Sequence, residues 1–310
     1  MSAVTSLALR HPRCHRLAAL GICVTMMAAL LGLSSAPPAG AATWWVPPLG
    51  NQPWQWELSH PLNLGSAHDM GIKDKLPDRQ KAQAPVIYDI DGIINPASTV
   101  AALHARGMHV VCYVEVGAAG DYYTAAEEGI PVTYYDQFKA AGLFGNNLSG
   151  YPEYYLNITS QETLSIVEAM ISRQCAAKGF DAVETDIDEE YGDNSGFPLT
   201  KAIEETYMTE IASYIHSLGL GWWIKNPDDT GDSYAADMYS LADAVLTEQC
   251  NQYQSCSLLS AYRGHKAVFN AEYRGNPSTF CAADALYGFN GAKFNLGLTG
   301  TRKPCPPLGQ

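Results

Sequence analysis

One pattern recurs along the chain: an amphipathic stretch closes on a glycine, and a short apolar run follows at once. It reads so at LHARG–MHVVCYVEV, QCAAKG–FDAVETD, IHSLG–LGWWIKN, AYRG–HKAVFNAEY and LYGFNG–AKFNLGL. A glycine just past a helix end fits the left-handed cap, so each unit predicts a helix feeding a strand. Helix starts are predicted at Asn95-Pro96, at Ser160 and at Pro198. WQWEL (54–58), VIYDI (86–90) and DAVLTE (243–248) bring the strands to eight. Strands alternating with helices give a parallel sheet with right-handed crossovers, and eight of them close on themselves. The expected fold is therefore α/β, a single (β/α)8 TIM barrel. A doubly wound open sheet is the competing architecture, but it would carry a glycine-rich phosphate loop after a strand, and none is present. Two connections, 59–85 and 117–155, are long, and long loops after barrel strands build binding clefts.

The stretch GFDAVETDIDEEY, residues 179–191, sets five carboxylates at the end of one apolar strand. Side chains alternate along a strand, so Ala182, Glu184 and Asp186 share one face while Val183 and Thr185 share the other. Acids on a buried strand face are costly unless they serve something, and strand C-termini are where barrels keep their active sites. Glu189 and Glu190 read as a solvated acidic loop beyond it. The other strand ends carry polar groups too: Trp56 and Glu57, Asp89 and Asp91, Tyr113 and Glu115, Lys225 and Asn226, Glu248, Asn270 and Glu272, Lys293 and Asn295. Tryptophans and tyrosines are abundant, and their faces suit sugar rings. Paired carboxylates with aromatics point to glycoside hydrolysis, in which one acid protonates the leaving oxygen and another carboxylate attacks or activates water.

Residues 1–41 read as a secretory signal peptide. Arg10, Arg13 and Arg16 precede an apolar run over 17–33, and Ala39-Gly40-Ala41 offers an A-x-A cleavage site. No second apolar run follows, so segment 42–310 is expected to be a secreted catalytic domain with no membrane attachment. Removing the leader takes away three arginines and no acids, which moves the formal net charge from −13 to −16. That acidity argues against nucleic acid and anionic membranes as partners. Six cysteines remain, and an even number in an exported chain points to disulfides, although six allow fifteen pairings. Proximity suggests Cys250–Cys256 and Cys281–Cys305. Cys112 and Cys175 are left; if Tyr113 and Glu115 face the barrel interior, Cys112 faces the helix layer, where Cys175 sits. Within 42–310 no C-x-x-C or H-x-x-x-H spacing appears, so no metal or other cofactor is expected.

Taken in order, WQWEL, YDID, CYVEVG, VETDID, IKN, LTEQC and VFNAEY resemble the strand motifs of the glycoside hydrolase family 114 endo-α-1,4-polygalactosaminidases, over about residues 54 to 296. The resemblance implies a (β/α)8 barrel that cleaves α-1,4-linked galactosamine polymers inside the chain, with Asp186 and Glu248 as the catalytic carboxylates. It also matches Cys250 and Cys256 to the family's cysteine pair, with Tyr253 between them. Two departures stand out: Glu184-Thr185-Asp186-Ile187 replaces Glu-Pro-Asp-Asn, and Glu115 replaces a serine or other small residue. The expected nucleophile is Asp186, steadied by Lys225, and the expected general acid is Glu248. Asp89, Asp91, Glu115, Glu184, Lys225, Asn226, Tyr253, Glu272 and Trp56 form the expected substrate-binding set. The partner is expected to be a galactosamine-rich, cationic polysaccharide, and the enzyme a monomer. A carbohydrate-binding barrel without catalysis would need Asp186 or Glu248 to be absent or displaced. A metal-dependent glycosyltransferase would use Asp186-Ile187-Asp188 as a D-x-D motif, against which stand export and the lack of a nucleotide-binding pattern.

Overall fold

The structure, a computed structural model, describes residues 44–308; the expected signal peptide lies outside the described residues. Eight strands form the barrel: β1 (Trp54–Glu57), β2 (Ile87–Asp91), β3 (His109–Glu115), β4 (Ala182–Asp186), β5 (Gly221–Lys225), β6 (Ala244–Glu248), β7 (Ala267–Glu272) and β8 (Asn290–Phe294). Each pairs in parallel with the next. Every strand read from the pattern is present, the last beginning two residues earlier than AKFNL would place it. Glycines follow the preceding helices, Gly179 and Gly219 at φ 85° and 77°, where a side chain would be strained; in the last unit the cap is Gly288, and Gly291 lies within β8. Two helix starts differ from expectation. Thr200 rather than Pro198 caps Lys201–Ser217, and Asn95 leaves its helix uncapped because its side chain joins Leu62 N to Asp91 O.

The barrel does not close strand to strand. A short ninth strand, Arg302–Pro304, runs antiparallel to Ala292–Phe294, and Leu298 and Thr299 reach Leu58 and Glu57 on the far side. This C-terminal segment covers the two edges that would otherwise show unpaired backbone. The buried Arg302 guanidinium fastens the seam, donating to Trp54 O at 2.6 Å and to Asp74 Oδ2 at 2.8 Å.

Alternation along the strands divides the core. Inward residues such as Trp54, Trp56, Val111, Trp223, Leu246 and Phe269 fill the barrel, while outward ones such as Val183, Ile224 and Val268 pack under the helices. Cys112 points outward and bonds to Cys175, and Cys250–Cys256 and Cys281–Cys305 complete the three disulfides among the described residues. The long connection after β3 folds into a small antiparallel sheet, Ala118–Gly120, Glu153–Leu156 and Phe144–Asn147, standing beside the barrel's C-terminal mouth. Among the described residues no helix is long and apolar enough to cross a membrane.

Candidate active site

The ends of β4, β5 and β6 converge on one ammonium group. Lys225 Nζ lies 3.1 Å from Asp186 Oδ1, 3.2 Å from Glu248 Oε2 and 3.4 Å from Glu184 Oε1. The lysine is buried and its charge sits 4.8 Å above the Trp56 ring, a favourable cation–π distance. Burial would deprotonate a lone lysine, but the carboxylates around it reverse that and hold its pKa well above the ordinary value. Asp188 explains why the lysine stands where it does. Facing outward, it accepts Thr185 Oγ1 at 2.7 Å and Lys225 N at 2.9 Å, which clamps β4 to β5.

Each of the two partly exposed carboxylates has further donors of its own. Asp186 accepts the Tyr113 hydroxyl at 2.6 Å and Ile187 N at 3.1 Å. Glu248 accepts Asn226 Nδ2 at 3.0 Å and the Tyr273 hydroxyl. Asn226 also takes Glu248 N on its Oδ1 at 2.8 Å, so one side chain fixes both the backbone and the carboxylate of that residue. Below them lies a second, fully buried pair, Glu184 and Asp89. Apart from the Lys225 contact to Glu184, no described donor reaches their four oxygens. Burial pushes Glu184 up to about 7, and burial with the Glu184 charge pushes Asp89 well up.

The backbone turns sharply at these three strand ends. Ile187, Asn226 and Gln249, which directly follow Asp186, Lys225 and Glu248, have φ of 60°, 45° and 59°. Left-handed conformations are uncommon outside glycine and costly for a β-branched residue such as isoleucine. Three at adjacent strand ends mark the place where the fold tolerates strain to aim side chains.

A cleft of about 560 Å³ opens beside Asp186, lined among others by Tyr113, Glu115, Tyr122, Tyr123, Tyr151 and Glu153. Glu115 pairs in register with Asp186 across β3 and β4. Burial and the neighbouring charges of Glu153, Asp186 and Asp91 push its carboxyl well up. Asp91 lies in the same wall, but Ile93 N, Ile94 N and the Tyr123 hydroxyl occupy its oxygens at 2.6–2.8 Å.

Several expected site residues stand elsewhere. Glu272 faces away from the cleft: Phe269 and Ala271 point inward, so Asn270 and Glu272 point to the helix layer, where Asn251 N donates to Glu272 at 2.9 Å. Counting by twos from Phe269 selects Tyr273 as the inward residue, and the sequence reading passed over it. Trp56 is fully buried beneath Lys225 and offers no face to a sugar; Trp54 and Trp223 lie deeper in the barrel interior, and Trp222 faces outward into the helix layer. The aromatic surface of the cleft is tyrosine instead. Tyr253 is 64% exposed on the turn after β6, without a contact that ties it to the carboxylates. Lys293 turns outward to Gly275 O. Glu190 is not solvated but buried against helix Lys201–Ser217, close to Glu204. Glu153 and Tyr151 sit in the long connection, where no strand periodicity could place them.

The family model of glycoside hydrolase family GH114 matches residues 34–299. Among solved structures, the chain is similar to Aspergillus fumigatus Ega3 in complex with galactosamine, with 24% identity, a TM-score of 0.68, and coverage of 85% of this chain and 98% of that one. It is also similar to the glycoside hydrolase domain of PelA from Pseudomonas aeruginosa, with 12% identity, a TM-score of 0.55, and coverage of 81% and 97%. No curated protein sequence matches.

Proposed function

The chain belongs to glycoside hydrolase family 114, and on that premise we propose that this hydrolase cuts α-1,4-linked galactosamine polymers internally, with Asp186 as nucleophile and Glu248 as acid and base. The observation that carries the assignment is the single ammonium of Lys225 held between those two carboxylates at the mouth of the barrel. Galactosamine as the sugar is supported by the galactosamine bound to Ega3 and by the acidity of a chain with net charge −13.

The common contact with Nζ, at 3.1 and 3.2 Å, keeps the two facing oxygens within the sum of those lengths. The reading taken is double displacement with retention, for which the two carboxyl groups stand about 5–5.5 Å apart. Asp186 attacks the anomeric carbon while the Glu248 carboxyl gives its proton to the departing glycosidic oxygen. Water then attacks the glycosyl ester, and Glu248 takes the water's proton. As Asp186 loses its charge to the new bond, Glu248 gains one on giving up its proton. The negative charge around Lys225 therefore stays constant, and the cation need not move during the step. Tyr113 and Asn226 hold the two carboxylates in place.

Export is part of the same reading, supported by the basic-then-apolar start of the sequence and by three disulfides. The test is proton NMR of polygalactosamine during the first turnovers. Internal cleavage with α-configured new reducing ends is expected; β-configured ends would overturn the nucleophile role of Asp186.

A further inference from the structure

Glu248 ends β6 between two neighbouring strand ends, and each neighbour takes one of its carboxyl oxygens. From the end of β5, Asn226 Nδ2 donates to Oε2 at 3.0 Å and Lys225 Nζ lies 3.2 Å from the same oxygen. From beyond β7 comes Tyr273, whose hydroxyl donates to Oε1. Register explains that approach. Glu248 pairs with Ala271, an inward residue of β7, and Tyr273 follows on the same face, packed against the barrel interior. Its hydroxyl has no other described partner.

The two oxygens are therefore not equivalent. The Asn226 amide cannot turn over, because its Oδ1 already accepts Glu248 N at 2.8 Å, so an N–H faces Oε2 whatever the charge of the acid. An ammonium faces it as well. In a neutral carboxyl group the carbonyl oxygen accepts while the hydroxyl oxygen carries the proton. Oε2 is thus the carbonyl, and the proton resides on Oε1. A phenol, unlike an amide N–H or an ammonium, both donates and accepts. Tyr273 can accept from Oε1–H while Glu248 is neutral and donate to Oε1 once it is charged.

Resting on the reading of Glu248 as acid and base, we infer that Tyr273 is a positioning residue: it selects Oε1 as the oxygen that carries the proton and stabilises the carboxylate left when that proton departs. In the step, the Oε1–H bond breaks and its electron pair stays on Oε1. The proton goes to the glycosidic oxygen, which keeps the electron pair of its breaking bond to the anomeric carbon. Tyr273 retains its own proton and turns to donate it to Oε1. Hydrogen bonds to ionised acceptors are roughly twice as strong as neutral ones, so the contact favours the state after transfer. When water attacks the glycosyl ester, Oε1 takes the water's proton and the hydroxyl turns back.

The experiment uses Tyr273→Phe, which deletes the hydroxyl and keeps the ring. It measures kcat/KM on polygalactosamine and on α-aryl glycosides of one galactosamine oligomer, with phenols graded from weakly to strongly acidic. A dinitrophenol leaves without a proton, whereas a sugar alcohol needs one. On the polymer and the least acidic phenol, kcat/KM is expected to fall roughly 10- to 100-fold, the value of a hydrogen bond to a charged group. The fall should shrink along the series and vanish with the dinitrophenol. The basic limb of kcat/KM on the polymer should move to higher pH, since a donor that favours the ionised acid is gone. Tyr273→fluorotyrosine keeps the hydroxyl and strengthens its donation, so the limb should move the other way; this variant decides alone if the phenylalanine variant does not fold. A merely structural tyrosine would slow every substrate alike and leave the limb in place. That outcome, or parental rates throughout, would overturn the inference. Glu248→Gln on the same series tests the reading beneath it: a loss graded like that of Tyr273→Phe supports both, and an equal loss on every substrate would remove both. A parent enzyme that cuts no member of the series would do the same.

Discussion

Replacing Lys225 by methionine keeps an apolar stem over Trp56 and deletes only the ammonium. At 3.1–3.4 Å each of the three surrounding carboxylates is attracted to that charge by about 5 kcal/mol at an effective dielectric constant of about 20. Those of the surrounding acids that are ionised offset the several kcal/mol needed to bury the ammonium, so the lysine is held charged. Without it, three acids surround an uncharged stem, and the available relief is to bind protons. The acid limb of kcat/KM should therefore move up by about 1–3 units, the range a close cation imposes on a carboxyl. Below that limb the rate should fall by the matching factor, roughly 10- to 10³-fold. Stability should fall by about 3–5 kcal/mol where the acids are ionised, and recover toward the parent value as pH drops. Reducing-end release from polygalactosamine, followed from about pH 4 to 9 with thermal melts in the same buffers, reads both effects. An unmoved acid limb with a rate within tenfold of the parent would refute the reasoning, because Lys225 would then be only a structural cation.

Asp186→Asn and Glu248→Gln should each lose about 10²–10⁴-fold in turnover with an unchanged melt, since each keeps size and removes the ionisable group; near-parental turnover would clear that residue of its role. Burial raises Glu184 to about 7 and Asp188 and Glu204 to about 8, so the folded chain holds protons that the unfolded chain releases near pH 4. Their contribution is complete below that value and is lost as pH rises through 7 to 8, so Tm should decline over roughly pH 5 to 8, and a Tm that climbs over this range would contradict the burial. Ile187→Asn places a residue that tolerates φ 60° where isoleucine is strained, and should gain about 1 kcal/mol in urea unfolding; a loss would mean the isoleucine side chain contributes more than its backbone costs. Arg302→Met should cost about 3–5 kcal/mol, measured the same way, by leaving Asp74 and the seam beside β1 without their buried donor.

The sequence by itself determined the barrel and which strands carry carboxylates at their ends. Glycine-capped helices running into apolar strands are local signals, and eight of them in alternation leave few topologies open. Strand periodicity is also local, which is why Glu184 and Asp186 could be set on one face before any contact was known. The same rule misplaced Glu272, because the face of β7 depends on which of its residues points inward. Phe269 settles that by stacking 4.4 Å from Trp223, a contact between strands far apart in sequence. Only the tertiary structure brought Lys225 between Asp186 and Glu248, since the depth of three strand ends relative to one another is set by barrel stagger rather than by any local pattern. It also decided that Trp56 is floor rather than platform, that Glu190 is buried, and that residues 302–304 close the seam. Glu153 reached the cleft through a connection with no periodicity, where position follows from how the small sheet packs against the barrel mouth.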